Sequence, residues 1–197
     1  MTRIVAATTN PGKLREIRSI LGGAAIDVVG LDAFPPIDEP EETGDTFEAN
    51  ARLKALYYAA HTGELTVAED SGLEIDALDG EPGVRSARFM GPDARYSQRF
   101  AEIFRRLDAR PHQPRTARFV AALAVVNAGA VVFEMRGVVE GEIASSARGT
   151  AGFGYDPIFF YLPYGCTLAE VSEEAKIAVA HRGHAFRALA AWLTREP

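Results

Sequence analysis

The chain has 197 residues, 47% of them hydrophobic, a formal charge of −6 and a pI near 5.3. That makes one compact domain, or two lobes sharing a core, and the acidic balance argues against a duplex nucleic-acid binder, which carries a basic face. No stretch approaches about 18 consecutive apolar residues, the opening MTRIVAATTN lacks the apolar length of a signal peptide, and Cys166 is the only cysteine. A cytoplasmic protein without membrane contact, intrachain disulfide or thiolate metal cluster is expected. His61, His112, His181 and His184 have no zinc-ligand spacing.

Arg3 to Thr9 is an apolar, β-prone run. Asn10, Pro11 and Gly12 follow, and then KLREIRSIL, with Leu14, Ile17 and Leu21 at helical spacing, so strand, tight loop and helix are expected. Backbone N–H groups at a helix start, with Lys13 in the first turn and Thr8, Thr9 and Asn10 beside it, would cradle a triphosphate. The segment is not a P-loop: Ala7 stands where the first glycine belongs, and Leu14 follows the lysine. Ordinary turn chemistry explains TTNPGK about as well.

Asp27 to Gly30 fits a second short strand. Phe34 to Gly44 is a proline-rich acidic loop of a kind that stays solvated, yet Glu41 and Glu42 lie just before a helix and could bring a carboxylate over a metal. Asp45, with Glu48 three residues on, has the pattern of an N-cap and capping arrangement. The helix runs from Thr46 to about His61, with Phe47, Ala51, Ala55 and Tyr58 as its apolar stripe and Asn50 and Lys54 sharing a polar face.

Leu65 to Ala68 reads as a short buried strand. Glu69, Asp70, Ser71 and Gly72 would lie at its carboxyl end, where open α/β sheets place ligands. Gly72 would let the backbone turn there, and Leu73 to Leu78 would form another strand. Adjacent strand positions face opposite ways, so one carboxylate enters a cleft while the other supports it or holds a second position around a cation. Oxygen ligands favour magnesium over zinc. The bland alternative is an acidic turn between two strands.

GEPGVRSARF then supplies a glycine-proline turn with Arg85 and Arg88. Tyr96 to Leu107 is an amphipathic helix with Phe100, Ile103, Phe104 and Leu107 inward, and 117–126 and 130–139 form a hairpin about Asn127, Ala128 and Gly129. In GTAGFGYDPIFF, glycines allow close backbone approach, and Phe153 and Tyr155 offer faces for a base or for the core. Asp156 is a turn residue or a polar contact. Ser172 is the expected N-cap of EEAKIAVAHRGHAF, which places Lys176, His181 and Arg182 at or beyond a helix end, the His-Arg pair directing donors toward a purine oxygen. A last helix runs from Ala185 to Thr194. Of 21 basic residues only Lys13, Lys54 and Lys176 are lysine, and a compact ammonium suits phosphate binding.

The ordered set TTNPGK, EETGDTFEANARLKA, EDSGLEIDALDGEPGVRSARF, GFGYDPIFF and KIAVAHRG resembles the inosine/xanthosine triphosphate pyrophosphatase family, and all three lysines fall inside these motifs. The resemblance runs from Thr8 to about Arg187. It implies an α/β fold with a mixed elongated central sheet, flanking helices and two lobes with the active-site cleft between them. It also implies a homodimer and a magnesium-dependent hydrolysis of ITP, dITP or XTP to monophosphate and pyrophosphate. By the same resemblance Thr8, Thr9, Asn10, Pro11, Gly12 and Lys13 would hold the phosphates. Asp70 would be general base and metal ligand, with Glu41 and Glu69 as further ligands, and Ser71 would bind substrate. Lys54, Arg88 and Lys176 would meet the phosphates; Phe153, Gly154, Tyr155 and Asp156, with His181 and Arg182, would enclose the base. The family commonly has serine before the His-Arg pair and a polar residue after the lysine, where this chain has Ala180 and Ile177. Maf-type nucleotide pyrophosphatases share fold and reaction but favour other bases, and the EETG and HRG segments speak against them. A regulatory nucleotide-binding module would leave the carboxylates surplus.

Overall fold

The computed structural model describes residues 2–195. Seven strands lie in the order β2-β1-β3-β4-β5-β6-β7 and are flanked by helices, the mixed α/β architecture expected. The chain divides into two units, 1–70 with 121–137 and 181–197, and 71–120 with 138–180.

In the first unit, β1 (Thr2–Ala7) pairs in parallel with β2 (Ile26–Gly30) and with the start of β3 (Thr66–Ile75), Val5 lying beside Thr66 and Ala7 beside Ala68. Parallel strands need a crossover between them, and α1 (Pro11–Leu21) and α2 (Phe47–Thr62) supply it. Ile4, Ala6 and Val67 from the strands meet Ile17 and Leu21 of α1 and Phe186 and Leu189 of α5 (His181–Leu193), together with Leu123 and Val125. At about 25 cal/mol per Å² of apolar surface removed from water, these contacts fix the helices to the sheet. The N-cap of α2 is Thr46, whose hydroxyl accepts the Ala49 N–H at 3.1 Å, rather than the expected Asp45. Both residues suit a cap, and a one-residue shift lies within the reach of local propensity.

The second unit holds the rest of β3, α3 (Tyr96–Asp108), the outer parts of β4 (Thr116–Asn127) and β5 (Ala130–Ile143), then β6 (Phe159–Tyr161), β7 (Cys166–Thr167) and α4 (Glu173–Val179). β5, β6 and β7 run antiparallel in turn. Leu73, Ile75, Ile103, Leu107, Phe119, Ile158 and Phe159 form its core, with Phe100 and Phe104 half-buried against it. The β4–β5 connection is the expected hairpin: Ala128 and Gly129 have φ of 48° and 79°, the pair of positive values that a two-residue turn needs to match strand twist. Ser172 caps α4 as expected, accepting the Ala175 N–H at 3.2 Å.

One expectation about the backbone is corrected. Leu65 to Ala68 and Leu73 to Leu78 are not two strands about a turn at Gly72, because β3 runs unbroken from Thr66 to Ile75 and Gly72 is not among the positive-φ glycines. Glu69 and Asp70 therefore sit in the middle of a strand buried on both faces. Carboxylates can occupy such a place only when they are paired.

Candidate active site

The helix start expected to cradle phosphate is closed by its own cap. Asn10 Oδ1 accepts the N–H groups of Gly12 (2.9 Å) and Lys13 (3.1 Å), and Pro11 has no N–H to give. What the segment presents to an anion is the Lys13 ammonium with the Thr8 and Thr9 hydroxyls. Thr8 Oγ1 accepts the Asn10 N–H at 3.2 Å, and Thr9 donates to Glu39 of the acidic loop.

Alternation along β3 sends its two carboxylates to different helices. Glu69 is buried and receives two hydrogen bonds from the Arg182 guanidinium, both at 2.7 Å, from the first turn of α5. Arg182 also donates to Glu16 of α1, and Lys13 Nζ lies 3.4 Å from Glu69. The sequence reading missed Glu16. It adjoins Ile17 and stands on the same side of α1 as Lys13 (i, i+3), so helical spacing held the signal. Burial alone would raise the Glu69 pKa, but Arg182 and Lys13 overcome it and hold the group well below the usual carboxylate range. Burial lowers the Lys13 pKa against the opposing pull of Glu69.

Because the folded-state pKa of Glu69 is depressed, its contribution to stability is complete above the ordinary value of 4.5 and is lost as the pH falls toward the folded value. Glu69→Gln is therefore expected to cost about 2 kcal/mol at pH 7, and the difference from wild type should shrink in melts below pH 4.5. A gap that stays constant with pH would contradict this assignment.

Asp70 points the other way, to α2. Its Oδ1 accepts from Lys54 Nζ at 2.8 Å, its Oδ2 lies 3.3 Å from Asn50 Nδ2, and Lys54 also donates to Glu42 Oε1 at 2.6 Å. Burial raises the Asp70 pKa against Lys54. For Lys54, burial is outweighed by Asp70 and Glu42, and its pKa ends above the ordinary value. The expected ligand set of Asp70, Glu41 and Glu69 is not what the structure assembles. Glu42 is the loop carboxylate that reaches the Lys54–Asp70 pair, Glu41 is exposed, and Glu69 is taken up by Arg182 and Lys13. Among the described residues there is no cluster of three or more His, Cys, Asp or Glu side chains arranged for a metal. Glu42 and Asp70 do share one cation, the Lys54 ammonium, between them.

Four other candidates on the phosphate and base sides belong to the second unit: Ser71, Arg88, Lys176 and the 153–156 loop. Ser71 is half-buried and Arg88 exposed. Lys176 is buried, with Nζ 2.5 Å from Asp156 Oδ2 and 4.5 Å from the centre of the Phe153 ring. Asp156 Oδ2 also accepts the Phe153 N–H at 2.8 Å. Lys176 is thus placed under an aromatic ring, where a buried ammonium is compensated by carboxylate and ring together. Tyr155 is a core residue: its hydroxyl donates to the Ser86 carbonyl at 2.9 Å, its ring meets Tyr96 edge-on, and burial raises its pKa. Phe153 is half-buried, with Gly154 beside it. In the first unit, His181 and Arg182 are both buried at the start of α5. The guanidinium expected at the base is instead bonded to Glu16 and Glu69.

The chain as a whole is similar to a set of known proteins. A relative from Geobacter sulfurreducens named dITP/XTP pyrophosphatase is 47% identical over 96% of this chain and 95% of its own length. One of the same name from Symbiobacterium thermophilum is 48% identical over 99% of this chain and 95% of its own. The solved structure of a HAM1 protein from Coxiella burnetii superposes with a TM-score of 0.91 at 38% identity, covering 100% of both chains. With residues 4–192 matching the Ham1 family, the chain belongs to that family.

Proposed function

We propose that this chain hydrolyses the non-canonical purine nucleoside triphosphates ITP, dITP and XTP to monophosphate and pyrophosphate, with magnesium, and so clears them from the nucleotide pool. It is a hydrolase acting on a phosphoric anhydride. The observation that carries the chemistry is the Asp70 carboxylate, buried mid-strand yet held by one side-chain donor on each oxygen. A group so oriented can align and deprotonate a water for attack at the α-phosphorus.

The residues present fit a hard cation, since Glu42 and Asp70 already share one positive charge, and magnesium needs only one or two carboxylates beside substrate oxygens and water. Asp70 and Glu42 would hold the ion. When bound with a nucleotide, it supplies charge neutralisation on the polyphosphate. Lys54 then has phosphate as an alternative partner to the two carboxylates. Lys13, oriented by Glu69, presents its ammonium to the phosphates with Thr8, Thr9, Asn10, Pro11 and Gly12 around it. Ser71 and Arg88 are proposed substrate contacts. Phe153, stiffened from beneath by Lys176 and through its N–H by Asp156, is the proposed stacking face. Recognition of the base rests on a donor that satisfies a 6-oxo group and opposes the 6-amino group of adenine.

The test is incubation with magnesium and ITP, XTP, dITP, GTP or ATP, with pyrophosphate and orthophosphate assayed separately. Pyrophosphate from the first three, lost on chelation and restored by magnesium, is expected. Orthophosphate as sole product would remove the α-phosphorus mechanism. A homodimer and a cytoplasmic location are part of the same proposal; no helix among the described residues is long and apolar enough to cross a membrane. Light scattering that gives a monomer mass would remove the dimer.

A further inference from the structure

We propose that Asn50 is a positioning residue for this hydrolysis, and that Gly44 works with it: the Gly44 backbone clamps the Asn50 amide, and the clamped amide sets the plane of the Asp70 carboxylate. The inference rests on the reading of Asp70 as the group that orients water.

Asn50 lies in the second turn of α2 and is 1% exposed, beside the apolar residues Phe47 and Ala51. A buried amide there must be fully bonded. Its Oδ1 accepts the Gly44 N–H at 2.8 Å, and its Nδ2 lies 3.2 Å from the Gly44 carbonyl. This pair of hydrogen bonds to one residue fixes which end is oxygen, because the reversed amide would set donor against donor and acceptor against acceptor. The Nδ2 end, thus assigned, is the one 3.3 Å from Asp70 Oδ2. Lys54, one turn further along α2, takes the other oxygen and is itself bonded to Glu42. Residues 42–44 are therefore tied to α2 at both ends, with Asp70 between the ties.

Gly44 is required by space. A Cβ there would stand 2.7 Å from Asn50 Oδ1 and 2.8 Å from the Ala49 Cβ. A side chain at this position displaces either the loop or the amide, and in both cases the donor on Asp70 Oδ2 goes with it. Rotation about the bond to a carboxylate is soft, so one donor in place of two leaves its plane poorly set. Misplacement of a catalytic group by about 1 Å can cost about a hundredfold in rate.

Asn50→Ala, Gly44→Ala and the double variant test this. Each single variant is expected to lower kcat for ITP by about 30- to 100-fold. The dissociation constant of a non-hydrolysable ITP analogue, measured by calorimetry, should stay within about threefold of wild type, since no phosphate or base contact is removed. The double variant should be no worse than the poorer single one by more than about threefold, because both changes remove one device. If kcat stays near wild type in both variants while the melting temperature falls, or if the lost kcat returns at raised magnesium concentration because Asn50 merely anchors the loop that carries Glu42, the inference is overturned. Losses that multiply in the double variant would also overturn it. A wild-type protein that releases no pyrophosphate would instead refute the functional reading on which the inference depends.

Discussion

Arg182→Leu is expected to remove about 3–5 kcal/mol of stability and to lower the melting temperature by on the order of 10 °C. The guanidinium is buried and bonded to Glu69 by two 2.7 Å contacts and to Glu16. Its loss leaves two buried carboxylates, with Lys13, 3.4 Å from Glu69, as the nearby positive charge. The cost comes from the anions left behind rather than from the worth of the ion pairs. Replacing Glu16, Glu69 and Arg182 together by leucine should therefore recover part of the loss, because buried ions exchanged for apolar side chains are near neutral or stabilising, while Lys13 loses its Glu69 partner. Urea unfolding of the single and triple variants checks both statements. An Arg182→Leu protein as stable as wild type would show that the guanidinium is not the keystone of this network.

Asp70→Asn is expected to lower kcat for ITP by about a thousandfold or more, with little change in the fold. The amide matches the carboxylate in shape but carries no charge with which to take up a proton. It also meets a conflict of its own. Lys54 faces one oxygen of Asp70 and Asn50 Nδ2 the other, and the Asn50 amide is held in that sense by Gly44. Whichever way an asparagine at 70 turns, its NH₂ faces a donor. A stability loss of about 1–3 kcal/mol is thus expected, small beside the catalytic loss. Quenched-flow or steady-state assay of pyrophosphate release, with melting as control, separates the two. An active variant would mean that another group orients the water.

Local elements were legible because their signals are local. α1, α2, α3 and the β4–β5 hairpin follow from apolar periodicity and turn residues that lie within a few positions of each other. What the sequence concealed depends on partners far along the chain. Glu69, Asp70, Ser71 and Gly72 resemble a turn, and they form strand instead because Arg182, 113 positions away, and Lys54 on α2 neutralise the carboxylates. Glu41 and Glu42 are chemically alike, so local sequence could not choose between them; the geometry chose Glu42 by way of Lys54. Lys176 belongs to a motif associated with phosphate, yet its ammonium is bonded to Asp156, 20 residues back. The opposition of Glu69 and Asp70 was readable, since it needs nothing beyond strand geometry.

That opposition has a consequence for how the chain tolerates change. Because Glu69 and Asp70 are successive positions of one unbroken strand, a single inserted or deleted residue between Thr66 and Glu69 would turn each of them to the opposite face. An insertion would bring the glutamate opposite Lys54 and leave the aspartate on the Arg182 face two positions too far along; a deletion would bring the aspartate opposite Arg182 and leave the glutamate on the Lys54 face two positions short. Val67 and Ala68 can exchange for apolar side chains of similar volume at small cost, but the spacing of this stretch has no such latitude: here length is more tightly constrained than identity.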